Sequence, residues 1–337
     1  MRDNYWDNWK GVAIIAVVSV HVLGQTSSFP LDSFNNLFGV FFRQFVNFCV
    51  ALFFFLSGYF TPKERPESNI AFYKKRISKI FLPYLVWTFI YTPIHILGGD
   101  YSISKFIYNL TFGTGIFVGY FVIVLIQLVI LTPFLYKIKL KSVWLVFISI
   151  SLCFSIGYTY YFQLIDYGSP LSKFPFNGLP FFIWLPFYLL GFYLSKINRG
   201  IALSTRKITY FYILLIILSL IEAFYWLNSN RDFSVSQLKV TTYLTSVAVC
   251  LYVLSTYKLI NKKSYLTWIG ENSYFIYLSH LFVMTPLVMI FRKVPLIYNN
   301  SVFYYLLMSI CIIILCTLMK VIAVKLLSAK IANKFLG

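Results

Sequence analysis

The residues best suited to chemistry are ionisable side chains inside long apolar segments. His21 lies near the end of YWDNWKGVAIIAVVSVHVLG, about 18 Å of helix rise beyond Trp9. Ionisable groups are costly in hydrocarbon and are retained mainly where they face a cavity or a partner. Because a neutral imidazole is a good general base near neutral pH, we predict that His21 is functional. The alternative is a packing histidine bonded to a nearby carbonyl.

A polar stripe leads along the same segment to His21. Asp7 precedes His21 by fourteen residues, close to four helical turns, so the two side chains share one face. Lys10 and Gly11 belong to that face. Asp7 is about 20 Å from His21 by helix rise, too far for a direct hydrogen bond. We therefore expect Asp7 to position Lys10 or a basic residue of the third span.

A second candidate site is basic. The stretch YKKRISKIFLPYLVW places Arg76 and Lys79 three residues apart on one helical face, with Pro83 one turn on. Guanidinium and ammonium groups on one face suit an anionic ligand such as a phosphate. The alternative is the ordinary positive charge found at the cytoplasmic end of a span, which accounts for Lys74 and Lys75.

Two further polar residues stand in apolar surroundings. Arg43 lies near the start of FFRQFVNFCVALFFFLSGYF, and His280 lies near the middle of WIGENSYFIYLSHLFVMTP. The plainer interpretations are an interfacial anchor for Arg43 and a satisfied structural histidine for His280. The sequence contains no Ser-His-Asp signature, glycine-rich phosphate loop or zinc-ligand spacing. We therefore predict no metal.

The segments that carry these residues define the fold class. Of 337 residues, 59% are hydrophobic and 12% are charged, about half the charged fraction of a soluble domain. Each apolar segment is long enough to cross hydrocarbon about 30 Å thick. We predict an all-α polytopic membrane protein, a bundle of about ten transmembrane helices. The predicted spans are 9–25, 40–60, 77–97, 117–136, 143–164, 181–198, 208–228, 240–260, 268–291 and 302–327.

The net charge of +19 follows the membrane topology. With the N-terminus cytoplasmic, 22 of the 29 Lys and Arg residues fall on the cytoplasmic side, as the positive-inside rule requires. Both termini are therefore predicted to be cytoplasmic, and a nucleic-acid partner is not predicted. The five cysteines are spaced unlike a metal site or a disulfide framework. Residues 1–337 are interpreted as a single integral-membrane domain with no appended soluble domain.

In combination, these motifs resemble the bacterial membrane acyltransferase-3 family of ten-helix O-acyltransferases. The first-span pattern is similar to that formed here by Asp7, Lys10, Gly11, Ala13 and His21. Arg43 with FFFLSGYF, KRISKIFLPY with Arg76 and Lys79, and IGENSYFIYLSH with Tyr277 and His280 resemble further family segments. Lys10 and Lys79 stand where the family usually has arginine, so each offers one ammonium group instead of a two-pronged guanidinium.

The resemblance implies an activity and residue roles. Acetyl-coenzyme A would be the acyl donor, with no metal, and its phosphates would be held by Lys10, Arg76 and Lys79. His21 would act as general base or as a covalent acyl carrier. Arg43 would orient the acceptor or stabilise the oxyanion. Asp7 would complete the catalytic set by positioning Lys10 or a basic residue of the third span. The pantetheine arm would follow the polar stripe inward, and Ser57, Tyr277 and His280 would contact the acceptor.

The resemblance also implies the setting. The protein would be a multi-pass protein of the bacterial cell membrane, embedded in the lipid bilayer. The acceptor would be a hydroxyl of a surface polysaccharide, such as a capsule or exopolysaccharide, or of its lipid-linked precursor. A second copy of the chain is an allowed partner. The rival interpretation is a polysaccharide exporter that uses the same helical bundle, and a non-enzymatic scaffold would not explain His21 together with Arg43.

Overall fold

The computed structural model describes residues 3–99, 102–197, 204–257 and 263–337. Within these ranges the protein is built from helices, and no β-strand occurs. The helices are α1 (Asn4–Gly24), α2 (Phe34–Val46), α3 (Cys49–Tyr59), α4 (Asn69–Leu97), α5 (Ile103–Phe112), α6 (Tyr120–Leu135), α7 (Lys141–Leu164), α8 (Phe181–Lys196), α9 (Thr205–Leu227), α10 (Arg231–Ser234), α11 (Val240–Ser255), α12 (Tyr265–Glu271), α13 (Ser273–Arg292), α14 (Pro295–Tyr298) and α15 (Ser301–Phe335).

Many helices begin at a short polar side chain, which satisfies a backbone N–H group that has no partner within the helix. For α1, the carboxylate of Asp3 accepts a hydrogen bond from the backbone N–H of Tyr5 at 3.0 Å. Serine residues cap the starts of α2, α4, α5, α9 and α12 in the same way: Ser33, Ser68, Ser102, Ser204 and Ser264. These local signals fix where the helices start.

The predicted fold class is confirmed. Seven helical segments in the described part of the chain are long and apolar enough to cross a membrane. Three shorter apolar helices, α6, α8 and α11, coincide with the predicted spans 117–136, 181–198 and 240–260. The last residues of two of these spans, and the predicted cytoplasmic Arg199, Lys258 and Lys262, lie outside the described residues. The cytoplasmic placement of both termini stays a prediction.

Two predicted spans are interrupted in the structure. The segment 40–60 is divided between α2 and α3, with Asn47 and Phe48 between them. The segment 268–291 is divided between α12 and α13 at Asn272. Asn47 donates side-chain hydrogen bonds to the carbonyls of Val235 and Ser236, at 3.2 and 3.4 Å. An asparagine amide at this point is thus used for tertiary contacts, which hydropathy along the sequence does not reveal.

The chain divides into two compact units. The first contains the described residues within Met1–Phe53 and Arg199–Met319, and the second those within Phe54–Asn198 and Lys320–Gly337. The boundaries fall inside α3 and α15. In the second part of α15, Ser328 has a φ of 67°, so the helix is broken just beyond the predicted end of the last span at 327.

In the first unit, α1 packs closely on α12 because both helices carry glycine at the crossing. A Cβ at Gly11 would overlap the carbonyl oxygen of Leu266, and one at Gly270 would overlap the carbonyl oxygen of Asp7. Small residues allow such close approach between membrane helices. The packing fixes the first half of α1 against the segment that leads into α13.

In the second unit, α3 and α8 also meet at glycines. A Cβ at Gly58 would overlap the carbonyl oxygen of Tyr188, and one at Gly191 would overlap that of Phe55. The Tyr188 hydroxyl forms hydrogen bonds with the hydroxyls of Thr132 at 2.7 Å and Thr61 at 3.2 Å. Its polar group is therefore satisfied inside the unit.

Candidate functional site

The first unit brings together two of the three histidines of the chain. His21 on α1 is half-buried, and His280 on α13 is completely buried. Their ring centroids are 5.1 Å apart, with the ring planes tilted by 46°. The sequence analysis singled out each histidine separately, and the fold makes them neighbours. Two imidazoles this close can form a hydrogen bond in which one ring donates an N–H group to a nitrogen lone pair of the other.

The backbone around His280 determines the tautomer of its ring. Nδ1 lies 2.7 Å from the carbonyl oxygen of Tyr277 and 3.2 Å from that of Ile276. Because carbonyl oxygens only accept hydrogen bonds, Nδ1 must carry the hydrogen. In the neutral ring, Nε2 then has a lone pair. This Nε2 atom is buried and has no hydrogen-bond partner among the described residues.

Tyr277, which the sequence analysis grouped with His280, is also part of this region. Its side chain is buried, and its ring centroid lies 6.0 Å from that of His280. On the other side it stacks on Tyr274, with centroids 6.4 Å apart. Tyr277 therefore forms an aromatic wall beside the histidine pair.

Arg43 lies on α2 and holds the segment of α1 that carries His21. Its Nη1 atom donates to the carbonyl oxygen of Val20 at 2.7 Å, and its Nη2 atom donates to that of Val235 at 2.8 Å. Its Nε atom donates to the side chain of Asn47 at 3.2 Å. A cation near the last turn of a helix is also favourable for the helix dipole. Arg43 thus ties α1, α2 and the segment before α11 together next to His21.

The sequence analysis missed a buried polar cluster beside Arg43. Lys239 is completely buried, and its ammonium donates to Gln44 Oε1 at 2.6 Å. The same Gln44 oxygen accepts from the Ser219 hydroxyl at 3.0 Å. The carboxylate of Glu222 accepts from the Thr241 backbone N–H at 3.1 Å and interacts electrostatically with Lys239. Two features of the sequence pointed to this cluster: the amide side chains Gln44 and Asn47 that follow Arg43 in an apolar span, and the carboxylate of Glu222 in another span. The sequence suggested a cation such as Arg231 as the partner of Glu222, whereas the structure places Lys239 near it.

At the other end of α1, Asp7 pairs with Lys10. The Lys10 ammonium donates to Asp7 Oδ1 at 3.0 Å, and the Asp7 side chain is only 1% exposed. The expected partnership is therefore observed. The expectation that the stripe lines an open passage is not met at Gly11, because the close crossing with α12 fills the space in front of that residue.

In the second unit, Arg76 contacts the end of α3. Its guanidinium donates to the carbonyl oxygens of Ser57 at 3.3 Å and Phe60 at 3.4 Å. Arg76 and Ser57, two predicted site residues, are thus neighbours through the backbone of Ser57. Lys79, one turn further along α4, is exposed. The helix therefore carries both cations as predicted, and the guanidinium is positioned by helix C-terminal carbonyls.

The sequence analysis also missed Lys196, at the end of α8. Its ammonium lies 4.3 Å from the ring centroid of Tyr136 and 4.4 Å from that of Phe192. Contacts of this kind stabilise a cation through the electron-rich ring faces. Tyr136 interacts electrostatically with Arg76 and donates its hydroxyl hydrogen to the Pro62 carbonyl at 2.5 Å. Lys196 and Arg76 are therefore both close enough to Tyr136 to interact with it.

An apolar cavity of about 280 Å³ lies elsewhere in the first unit. It is lined by Trp9, Phe48, Thr209, Tyr212, Val249 and Tyr252. None of the residues predicted as functional contributes to this lining. The cavity offers aromatic surface but no base or cation, so its chemistry differs from that of the histidine pair.

Comparisons with known proteins identify the family of this chain. Residues 3–321 match a family model described as an acyltransferase domain. A putative membrane-bound acyltransferase of Bacillus subtilis (strain 168) is 24% identical over 295 residues, which cover 81% of this chain and 78% of that protein. A probable poly-β-1,6-N-acetyl-D-glucosamine export protein of Staphylococcus aureus (strain MSSA476) is 23% identical over 291 residues, or 82% of this chain and 81% of that protein.

No solved structure matches this chain. The assignment therefore depends on the family model, which covers nearly the whole chain and includes both histidines and Arg43. On this evidence the chain belongs to the acyltransferase-3 family of multi-pass bacterial membrane proteins.

Proposed function

We propose that this protein is a membrane O-acetyltransferase that moves an acetyl group from acetyl-coenzyme A to a hydroxyl of a surface polysaccharide or its lipid-linked precursor. The observation that carries the proposal is the half-buried His21 beside the buried His280. A family of acyltransferases needs a base for the acceptor hydroxyl, and a neutral imidazole supplies one near neutral pH. A capsule or an exopolysaccharide is the acceptor class that we favour.

The reaction follows from the properties of the imidazole. A ring nitrogen of His21 takes the proton of the acceptor hydroxyl while the hydroxyl oxygen attacks the thioester carbonyl carbon. A C–O bond forms, and the resulting tetrahedral oxyanion collapses with cleavage of the C–S bond. The proton held by His21 passes to the departing thiolate. The products are an O-acetyl ester and free coenzyme A, and His21 returns to its starting state.

A covalent relay is the variant of this mechanism. His21 would attack the thioester directly, release coenzyme A and hold the acetyl group as acetyl-imidazole until the acceptor hydroxyl displaces it. The two routes use the same residue, but only the relay permits transfer of label to the protein when acceptor is absent. An acid-quench experiment with labelled donor distinguishes them.

The other proposed residues act in binding and positioning. Arg76 and Lys79 supply the positive charge for the phosphates of the donor, since charge-assisted hydrogen bonds favour phosphate oxygens. Lys10 is a third proposed cation, and Asp7 holds its ammonium at 3.0 Å. Ser57 and Tyr277 are proposed contacts of the acceptor. Arg43 is proposed to stabilise the oxyanion or to orient the acceptor, in addition to its observed backbone contacts.

The test uses the purified full-length protein in lipid nanodiscs with acetyl-coenzyme A labelled in the acetyl group. Candidate glycans, beginning with poly-N-acetylglucosamine oligomers, are added, and ester-linked label is measured. Wild type is expected to transfer label, whereas His21→Ala abolishes transfer without loss of folded protein. His95→Gln is the matched control, because His95 lies on α4 and its Nε2 contacts the Gly115 carbonyl at 2.8 Å. Full transfer by His21→Ala would remove His21 from the mechanism.

The second candidate function is export of a polysaccharide. It is favoured by the similarity to the Staphylococcus aureus relative, which is named as a probable export protein. An exporter moves glycan across proteoliposomes without any acyl donor and tolerates replacement of His21 by another polar residue. Glycan flux without acetyl-coenzyme A, together with an active His21→Gln variant, would favour export over acyl transfer.

A further inference from the structure

We propose that His280 is a positioning residue for the base. In this proposal the Nε2 atom of His280 accepts a hydrogen bond from an N–H group of His21, which fixes the tautomer of His21 and leaves its other nitrogen with a lone pair. The inference rests on the proposed function, because it gives His280 a role in acyl transfer. It replaces the acceptor contact that the family resemblance implied for His280.

The backbone contacts of His280 fix its tautomer. Its Nδ1 atom faces two carbonyl oxygens, those of Tyr277 and Ile276, so this atom is the donor. A neutral His280 therefore presents an acceptor at Nε2. The ring is completely buried, so bulk water does not satisfy that acceptor.

Nε2 of His280 has no hydrogen-bond partner in the described ranges of the chain. A buried polar atom without a partner is costly and calls for an explanation. The hydroxyl of the preceding residue, Ser279, donates to the Phe275 carbonyl at 2.9 Å and so is already used.

The proposed donor to His280 Nε2 is the ring of His21. The His21 ring lies 5.1 Å from the His280 ring, centroid to centroid, closer than the Tyr277 ring at 6.0 Å. A neutral imidazole carries one N–H group and one lone pair, so His21 can complete the contact by donating. Catalytic hydrogen bonds are often long without substrate and shorten in the reactive complex. A centroid separation of 5.1 Å is short enough for one nitrogen of each ring to reach hydrogen-bond distance when the two nitrogens face each other.

The chemical consequence concerns the second nitrogen of His21. Once its N–H group is directed at His280, the remaining nitrogen must be the unprotonated one, and it is free to accept the hydroxyl proton. After this transfer His21 is an imidazolium, and the hydrogen bond to His280 stabilises the new charge. His280 itself neither gains nor loses a proton. A base held in one tautomer by a third group is the arrangement that activated nucleophiles use generally.

The test compares His280→Gln with His280→Asn in the labelled-acetyl assay. The longer glutamine side chain places an amide oxygen near the position of Nε2, whereas asparagine reaches only the position of Nδ1. We expect His280→Asn to lower kcat by about 100-fold, the contribution of a correctly placed base. His280→Gln is expected to keep most of the activity, with KM for the acceptor unchanged in both. A general packing defect would lower the activity of both variants alike and would overturn the proposal.

A spectroscopic readout follows the tautomer of His21 directly. The chain has three histidines, so ¹⁵N-histidine labelling of the His95→Gln protein leaves the signals of His21 and His280 alone. In the His95→Gln protein with His280 intact, His21 is expected to show one protonated and one unprotonated nitrogen in a single tautomer. His280→Asn should produce a mixture of tautomers. An unchanged His21 spectrum in that variant would overturn the positioning role.

The two proposals fail in different ways. If wild type transfers no acetyl group to any glycan, the proposed function fails. If wild type is active but neither kcat nor the His21 spectrum distinguishes the Asn variant from the Gln variant, only the role of His280 fails.

Discussion

The guanidinium of Arg43 donates to the carbonyl oxygen of Val20, one residue before His21, at 2.7 Å. The other side of the same guanidinium donates to Val235. Arg43 therefore determines where the last turns of α1 lie relative to the segment before α11. Since His21 belongs to those turns, the position of this proposed base depends on a side chain that is bonded to backbone.

The several hydrogen bonds of the Arg43 guanidinium predict the effect of a charge-preserving substitution. Arg43→Lys keeps the positive charge, but one ammonium cannot reach Val20, Asn47 and Val235 at once. We expect the free energy of unfolding to fall by about 1–3 kcal/mol and kcat to fall in parallel, measured by thermal melting in detergent and by acetyl transfer. The control is Arg206→Lys, because Arg206 is exposed and its Nε contacts Tyr210 at 3.1 Å. An Arg43→Lys protein with wild-type melting but no activity would instead indicate direct action on the substrate.

The buried ammonium of Lys239 predicts a strong dependence on its electrostatic partner Glu222. Lys239→Met leaves the Glu222 carboxylate without this nearby cation and the Gln44 Oε1 atom without its ammonium donor, and should cost about 1–3 kcal/mol of stability. The double variant Lys239→Met/Glu222→Gln removes both charges and should recover part of the loss. Thermal melting of the two single variants and the double variant measures the coupling between them.

Lys207→Met is the control for Lys239, because Lys207 is exposed near the start of α9. Strictly additive effects of the two substitutions would show that Lys239 and Glu222 do not interact.

The crossing of α1 and α12 predicts a steric effect at Gly270. A Cβ there would overlap the carbonyl oxygen of Asp7, so Gly270→Ala must move the two helices apart. We expect a loss of about 1–3 kcal/mol, as for other overpacked cores, and lower yield of folded protein in detergent. Gly157→Ala is the matched control, since a Cβ at Gly157 on α7 meets open space. There alanine should be neutral or stabilising because it favours the helix.

The exposed Lys79 predicts an effect on donor binding. Lys79→Gln should raise KM for acetyl-coenzyme A on the order of tenfold, with little change in kcat, because one charge-assisted contact is lost. The effect should weaken as salt concentration rises, since salt screens exposed charges. Initial rates at several donor concentrations and two ionic strengths measure both. Lys74→Gln is the control, as Lys74 is exposed on another face of α4; equal KM changes in the two variants would argue against a specific clamp.

The sequence predicted most of the helices because their signals are local. Segments such as 143–164 and 208–228 nearly coincide with α7 and α9. It did not predict the interruptions at Asn47 and Asn272, because a break in a span depends on where the freed polar groups find partners. Asn47 finds them in the carbonyls of Val235 and Ser236, far away in the chain.

The residues of the candidate site were likewise recognised only in part from the sequence. His21, His280 and Arg43 were each recognised as polar residues in apolar segments, whereas Lys239 was not singled out. Nothing near Lys239 in the sequence indicates that its ammonium is buried against Gln44. Side-chain partners of this kind come from different helices, so their identity depends on which helix faces meet.

The sequence alone determined that the chain crosses a membrane with many helices, and which of its residues are costly to keep in hydrocarbon. Both properties follow from the thickness of the bilayer and the free energy of burying each side chain, which depend on local composition. Only the tertiary structure decided that His21 meets His280 and that Arg43 holds Val20. Those contacts join residues from different helices. They are determined by the packing between helix faces, which no single segment of the sequence encodes.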